Sequence, residues 1–181
     1  MKILLHTCCA PCTIYPLDSL RQSGFTTMGF FYRHNIHPFT ECMKREAALR
    51  EYAAAMDMKM IFQQDYDLEG FLRKMVFREA DRCRICYYER LYTTAKLAKK
   101  GRFDCFSSTL LFSRHQNHAL IAEIGAAAGK AAGIGFHYAD FREGWEAGRD
   151  KSIAMQMYRQ QYCGCIYSEK ERYFPRQKKT P

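Results

Sequence analysis

The residues of this sequence best able to do chemistry lie in three cysteine motifs: Cys8-Cys9-Ala-Pro-Cys12, Cys83-Arg-Ile-Cys86 and Cys163-Gly-Cys165. A thiolate is a nucleophile, a metal ligand and a redox group. The chain has nine cysteines, and this odd number suits a fully paired disulfide scaffold poorly. The motifs therefore predict metal binding or thiol redox chemistry rather than structural cross-links.

The first two motifs suit an iron–sulfur cluster. Neighbouring residues of an extended chain point in opposite directions, so Cys8 and Cys9 fit separate corners of a cluster better than one zinc ion. Cys83 and Cys86 have a spacing that brings two sulfurs together at a predicted helix start, where the helix dipole favours thiolates. We predict a [4Fe–4S] cluster with these four cysteines as ligands, although the Cys83–Cys86 spacing alone also allows zinc or dithiol chemistry.

The glycine between Cys163 and Cys165 allows the tight turn that a short disulfide loop needs. A strained disulfide is readily reduced, so we interpret this pair as redox-active, with metal ligation as the alternative. Cys12 has no single interpretation. It could pair with Cys9 in a thioredoxin-like motif, hold an additional iron ion beside the cluster, or line the pocket.

Apolar runs alternate with helical patterns along the whole chain. The predicted strands are 2–7, 25–32, 59–64, 103–107 and 136–138. The predicted helices begin at Pro16, Pro38, Leu68, Cys83, Ser113 and Trp145. This alternation predicts an α/β fold with a single domain, in which a mostly parallel five-stranded sheet carries helices on both faces. We expect residues 1–168 to form the catalytic domain and 169–181 to be a poorly ordered basic tail.

Composition narrows the partners and the compartment. The net charge of +9 favours a polyanionic partner such as nucleic acid, with solubility as the alternative. The apolar run at the first residues breaks at His6, too soon for a signal peptide, and no stretch is long enough for a membrane helix. Together with the cysteine content, this predicts a cytoplasmic protein with no membrane partner.

Several further segments occur together with the cysteine motifs in a characteristic order. They are His6-Thr-Cys-Cys-Ala-Pro11, Asn35-Ile-His-Pro38, Arg82 to Tyr87 with Arg90-Leu91, Ser108-Thr-Leu-Leu111, Asp140-Phe-Arg-Glu-Gly144 and Tyr158 to Cys165. In this combination the sequence resembles the QueH-type epoxyqueuosine reductase family over almost its whole length. Two loops depart from the family pattern, at Tyr32-Arg-His34 and at Phe77–Arg82, which bears on substrate contacts.

The resemblance implies the last step of queuosine biosynthesis, in which the epoxide of epoxyqueuosine at the wobble position of tRNA is reduced to an alkene. It implies a fold related to the HUP and PP-loop nucleotide-binding domains. It places the family's cluster ligands on Cys8, Cys9, Cys83 and Cys86, and its redox pair on Cys163 and Cys165. The Ser-Gly-Gly loop of PP-loop enzymes is missing, so we expect no ATP dependence. An electron donor, either a protein or a small reductant, is required.

The matched motifs also suggest residues for the substrate. The predicted substrate contacts are His37, Arg142, Tyr158, Arg159 and Gln160, and the predicted base-stacking aromatics are Tyr32, Tyr87 and Tyr88. The leaving oxygen needs a Lewis acid, for which an iron ligated by Cys12 is one candidate, or a proton from Asp140, Tyr158 or Tyr162. Two other functions fit parts of the sequence: a zinc-stabilised RNA-binding module, and a thioredoxin-like disulfide reductase.

Overall fold

The computed structural model describes residues 1–174 and contains a five-stranded, all-parallel sheet with the order β3-β2-β1-β4-β5. The strands are β1 Lys2–Thr7, β2 Thr26–Phe31, β3 Met60–Phe62, β4 Cys105–Ser108 and β5 Gly135–Phe136. The helices are α1 Ala10–Gln22, α2 Phe39–Ala55, α3 Leu68–Met75, α4 Arg82–Lys100, α5 His118–Ala132, α6 Trp145–Ala154 and α7 Ile166–Tyr173. The predicted single-domain α/β fold is confirmed.

The strand order reverses at the central strand, β1. The chain runs outward from β1 through β2 to β3, and then returns to place β4 on the other side of β1. Because such crossovers are right-handed, the outward helices α1 and α2 cover one face and the returning helices α4 and α5 cover the other. In agreement, α4 packs on α5, β1 and β4, whereas α1 packs on α2, α6 and β2. Ligands bind where the order reverses, at the carboxyl ends of β1 and β4.

Two helix starts differ from the sequence prediction. The first helix begins at Ala10 instead of Pro16, because the sulfur of Cys9 accepts the Cys12 N–H as an N-cap, and Pro16 lies inside the helix. The helix predicted from Ser113 begins at His118, where the Asn117 side chain caps the N–H of residue 120. Asparagine is a preferred N-cap and cysteine is not, but in both cases the capping side chain determines the start.

The domain boundary expected at Ser168 stays a prediction. The predicted end of the domain at Ser168 falls within α7, which continues through Tyr173. The remainder of the predicted tail, 175–181, lies outside the described residues. Within residues 1–174, no helix combines the length and the apolar character that crossing a bilayer requires.

The close packing of α5 on the sheet gives a prediction about stability. A Cβ atom on Gly129 would lie 2.6 Å from the backbone oxygen of Ile134 and 3.4 Å from the backbone nitrogen of Phe136. We expect Gly129→Ala to lower the free energy of unfolding by about 1–3 kcal/mol, despite a helix-propensity gain of about 1 kcal/mol. The exposed control Ala126→Gly should cost only about 1 kcal/mol, by propensity. Urea unfolding measures both, and a stabilised Gly129→Ala would contradict the packing.

Candidate active site

Three sulfurs meet at the carboxyl end of β1. Cys8, Cys9 and Cys12 place their sulfur atoms within 4.8 Å of one another, and those of Cys8 and Cys9 are 3.8 Å apart. Cys8 and Cys9 are buried and Cys12 is half-buried. The early start of α1 creates this group, because the first helical turn carries Cys12 back over Cys9. Within residues 1–174, no other set of three potential metal ligands lies so close together.

The three thiols of this group differ in acidity. Hydrogen bonds from Cys12 and Cys9 hold the pKa of Cys8 well below its usual value, and the hydroxyl of Thr109 adds a third, at 3.4 Å. Burial raises the pKa of Cys9, and hydrogen bonding to Cys8 raises that of Cys12. A metal ion bound here would displace the remaining protons, because thiolates are the ligating form.

The second cysteine pair lies at the start of α4. Cys83 is exposed as a whole residue, but partial desolvation of its thiol raises the pKa. Cys86 is half-buried, and its sulfur accepts a hydrogen bond from Asn35 Nδ2 at 3.1 Å. Burial raises the pKa of Cys86 to about 12. The pair is therefore protonated at neutral pH unless a metal ion takes its sulfurs as ligands.

The loop 163–165 is held in place by its backbone. Arg45, which is fully buried, donates hydrogen bonds to the carbonyl oxygens of Cys163 at 2.9 Å and of Tyr162 at 3.0 Å. The backbone N–H of His37 donates to the carbonyl oxygen of Gly164 at 2.7 Å. Gly164 has a φ of 151°, which disfavours any side chain. The thiols on either side of this glycine are both free.

A second buried guanidinium, that of Arg90, lies between these cysteine groups. Among the described residues it has no carboxylate partner, its Nε has no hydrogen bond, and Nη2 makes only a long contact of 3.4 Å to the oxygen of Asn35. Burial opposes its charge, but the neighbouring sulfurs of Cys86, Cys163 and Cys8 outweigh burial and raise its pKa. A buried cation without an anion is costly, so this environment fits an anionic, thiolate-ligated centre.

A cavity connects two of the cysteine motifs. It has a volume of about 450 Å³, within the range of small-molecule sites, and both Cys12 and Cys163 line it. The side chain of Gln116 crosses between segments here, since it accepts from the hydroxyl of Tyr87 at 2.7 Å and donates to the sulfur of Cys163 at 3.2 Å. A bound molecule can therefore contact the sulfur group at β1 and the Cys-Gly-Cys loop at the same time.

The predicted substrate residues divide into two groups. Arg159 and Gln160 line the cavity. His37 is buried against the ring of Phe71, with 4.4 Å between ring centroids. Tyr158 donates a hydrogen bond to the carboxylate of Glu41, and Arg142 donates to Asp140 at 2.8 Å. These three residues do not line the cavity, and their substrate contacts stay predictions, as does the four-cysteine ligand set.

The predicted stacking tyrosines have different surroundings. Tyr32 and Tyr87 are buried. Tyr88 is exposed and stacks on Tyr92 with 5.3 Å between ring centroids. None of the three predicted tyrosines lines the cavity that Cys12 and Cys163 share. Their contacts with a base therefore also stay predictions.

Sequence reasoning missed several residues that hold the site. Arg90 had a signal, because it follows Cys86 by four residues and so shares its face of α4. Arg45 follows Glu41 by four residues, as in many ordinary ion pairs, and Gln116 ends the Ser113-Arg-His-Gln116 pattern that is typical of a capping box. Neither residue has a local signal for its role at the site. The partner of Arg45, Cys163, lies more than a hundred residues away in the chain, and that of Gln116, Tyr87, lies about thirty residues away.

Fold and site together define a class of protein. It is a parallel α/β protein whose strand order reverses at β1, with three cysteines at the carboxyl end of that strand, where such sheets bind their ligands. A solved structure from Methanocaldococcus jannaschii, described as a predicted subunit of tRNA methyltransferase, has this fold. Its TM-score is 0.55 at 10% identity, covering 84% of this chain and 76% of that one. At this identity the likeness concerns the fold alone.

The family model for epoxyqueuosine reductase QueH matches residues 3–171. The protein of that name from Dehalococcoides mccartyi is 38% identical over 172 residues, which cover 95% of this chain and 94% of the relative. The one from Thermotoga maritima is 32% identical over 180 residues, with 94% and 91% covered. The chain belongs to the epoxyqueuosine reductase QueH family, as its cysteine motifs and flanking segments predicted.

The two buried arginines give a matched test of the site's charge balance. We expect Arg90→Met to weaken metal retention by about 10- to 100-fold, because it removes a buried cation whose charge interacts with Cys86, Cys163 and Cys8. It should leave the metal-free protein about as stable as before, since no ion pair is broken. Arg45→Met, which breaks a buried pair with Glu41, should instead cost about 3–5 kcal/mol with or without metal.

Metal analysis and urea unfolding of the metal-free protein measure these two effects separately. If Arg90→Met lost as much metal-free stability as Arg45→Met and kept its metal, Arg90 would be a structural residue only.

Proposed function

We propose that this protein is an epoxyqueuosine reductase that converts the epoxide of epoxyqueuosine in tRNA to the alkene of queuosine, the last step of queuosine biosynthesis. Membership of the family supports the reaction. The observation that carries the proposal in this chain is the cavity, because Cys12 of the β1 group and Cys163 of the Cys-Gly-Cys loop both line it. A nucleoside bound there contacts both sets of thiols.

The reaction needs two electrons and two protons. We assign both electrons to the thiols of Cys163 and Cys165, which are oxidised to one disulfide. The epoxide is reduced in the same reaction, and both of its carbon–oxygen bonds break to release the oxygen. The two protons leave with that oxygen as water. Gly164 permits the turn that such a disulfide requires, and Arg45 holds the backbone of the loop. An external reductant, a protein or a small thiol, then restores the pair.

The remaining cysteines suit the predicted cofactors. We assign Cys8, Cys9, Cys83 and Cys86 to a [4Fe–4S] cluster and Cys12 to an additional iron ion beside it. When bound, the cluster supplies one-electron transfer and the extra ion supplies a Lewis acid. All the proposed protein ligands are sulfur, and the unpaired charge of Arg90 favours the anionic form of such a centre.

Among the protein acids, Tyr162 is the best placed to protonate the leaving oxygen. It lines the cavity, and burial raises its pKa to about 12, so its hydroxyl is protonated at neutral pH. That hydroxyl donates a hydrogen bond to the carbonyl oxygen of His37. To protonate the substrate, the hydroxyl must donate to the leaving oxygen in place of this carbonyl oxygen. Asp140 is unsuited, because hydrogen bonds from Arg142 lower its pKa to about 2 and keep it ionised.

We propose no ATP requirement, because cysteines occupy the place of the phosphate loop after β1. The net charge of +9 favours binding of a polyanion such as tRNA. Part of this positive charge lies close to the thiols, because three arginines and one glutamate line the cavity: Arg149, Arg159, Arg172 and Glu171. Substrate tRNA should therefore bind more weakly as salt rises.

We expect Cys163→Ser to keep its metal but to reduce turnover of epoxyqueuosine-containing tRNA to background, because a single thiol cannot supply the electron pair. Mass spectrometry of the digested tRNA gives turnover, and metal analysis gives cofactor content. The control Cys105→Ser, in β4 and outside the site, should retain turnover.

A thiol count sharpens this test. Without external reductant, the protein should form about one product per chain and lose two thiols. Product formed with no loss of thiols would remove the pair from the mechanism. Loss of iron in Cys163→Ser would instead make Cys163 a metal ligand.

The metal content of protein purified without oxygen separates the three candidate functions. About four or more irons per chain, with a brown colour, are expected for the reductase. A single zinc in a colourless protein would favour an RNA-binding module. A metal-free protein that reduces disulfides through Cys9 and Cys12 would favour the thioredoxin-like alternative. Full cluster content without conversion of epoxyqueuosine would overturn the proposed substrate.

A further inference from the structure

The chain has one tryptophan, and it lies at the cavity that joins the thiols. Trp145 is half-buried and begins α6. It lines the cavity together with Cys12 and Cys163, and so does Arg149, one helical turn further along α6. Neither residue belongs to the proposed thiol chemistry. Both are available to a part of the substrate that lies beside the reacting nucleoside.

Two glycines fix the position of this tryptophan. A Cβ atom on Gly144 would lie 2.0 Å from the ring of Tyr15, and one on Gly148 would lie 2.8 Å from the ring of Phe112. The helix therefore sits directly against these two rings, which are stacked with 6.4 Å between centroids. The start of α6 is thus held rigidly beside α1, the helix that carries Cys12.

Two guanidinium groups accompany the indole. The Cζ atoms of Arg114 and Arg149 lie 4.6 Å and 5.4 Å from the Trp145 ring centroid. Their acidic partners, Glu146 and Asp150, are 70% and 63% exposed, so these ion pairs are weak. Both arginines can therefore exchange a surface carboxylate for a phosphate at little cost.

From this arrangement we infer that Trp145, Arg114 and Arg149 form a second nucleotide subsite. The indole stacks on the unpaired base next to the modified nucleotide in the anticodon loop, and the arginines bind the adjoining phosphates. Aromatic side chains are the usual platforms for unstacked RNA bases, and Trp145 and Arg149 line the same cavity as Cys12 and Cys163. The inference rests on the proposed function for the identity of the RNA, but its test needs no turnover.

Binding of an anticodon stem-loop RNA with guanosine at the wobble position tests the subsite. Because Trp145 is the sole tryptophan, its fluorescence should change on binding. Labelled-RNA anisotropy should show Trp145→Ala weakening binding by about tenfold to a hundredfold, with Trp145→Phe largely restoring it. Arg149→Gln and Arg114→Gln should each lower the salt dependence of binding by about one ion. The control Arg102→Gln should leave the salt dependence unchanged. Arg102 is exposed and precedes β4, so it lies at the amino ends of the strands, away from the thiols.

An abasic stem-loop identifies the stacked base. Removing the base on one side of the wobble nucleotide should weaken wild-type binding but leave Trp145→Ala unaffected, because the contact is already lost. If the wild type and Trp145→Ala lost equal affinity at both neighbouring bases, the subsite would be overturned, as it would be by RNA binding that leaves the tryptophan emission unchanged. Epoxyqueuosine turnover is measured separately. If base removal weakens RNA binding by the wild type but not by Trp145→Ala, and no epoxyqueuosine is converted, the reductase assignment is rejected and the subsite is kept. If epoxyqueuosine is converted but base removal weakens both proteins equally, the subsite is rejected and the reductase assignment is kept.

Discussion

The electrostatics of the site depend on one interaction, that between the buried guanidinium of Arg90 and the sulfurs of the three cysteine motifs around it. A guanidinium shut off from water and lacking a carboxylate is tolerated only if other groups nearby carry negative charge. The sulfurs of Cys86, Cys163 and Cys8 supply this charge when they are thiolates, and they come from three distant parts of the chain. The stability of this cation and the ionisation of the thiols are therefore linked. A change in either must appear in the other.

The topology of the sheet brings these distant thiols together. Reversal of the strand order at β1 opens a crevice at the carboxyl ends of β1 and β4, and α1 begins there with Cys9 as its cap. The returning crossover packs α4 on the other face of β1, and the first turn of α4 supplies Cys83 and Cys86. The loop with Cys163 then closes over this edge, held by Arg45 from α2. Each motif is positioned by a different element, which makes the site a property of the whole fold.

The sequence was most informative where the signal was local. Strand alternation predicted the parallel sheet, and the CxxC spacing correctly placed Cys83 and Cys86 at the start of α4. It failed where a distant partner decides the structure. Pro16 looked like a helix start, yet the burial of Ile14 and Leu17 keeps α1 continuous across it. Gln116 matched a capping pattern, but its amide instead joins two segments that only the folded chain brings together.

The same comparison explains why the sulfur group contains Cys12. A helix beginning at Pro16 would have left Cys12 in a loop, free to point away from β1. Once Cys9 caps the helix, Cys12 occupies its first turn and must lie over the capping sulfur. The backbone N–H groups and dipole of a helix start, which bind phosphate in many proteins, face sulfur in this one. They favour thiolate and so oppose the burial that raises the pKa of Cys9. The cysteines at this sheet edge thus use the anion-binding physics of a helix start for sulfur.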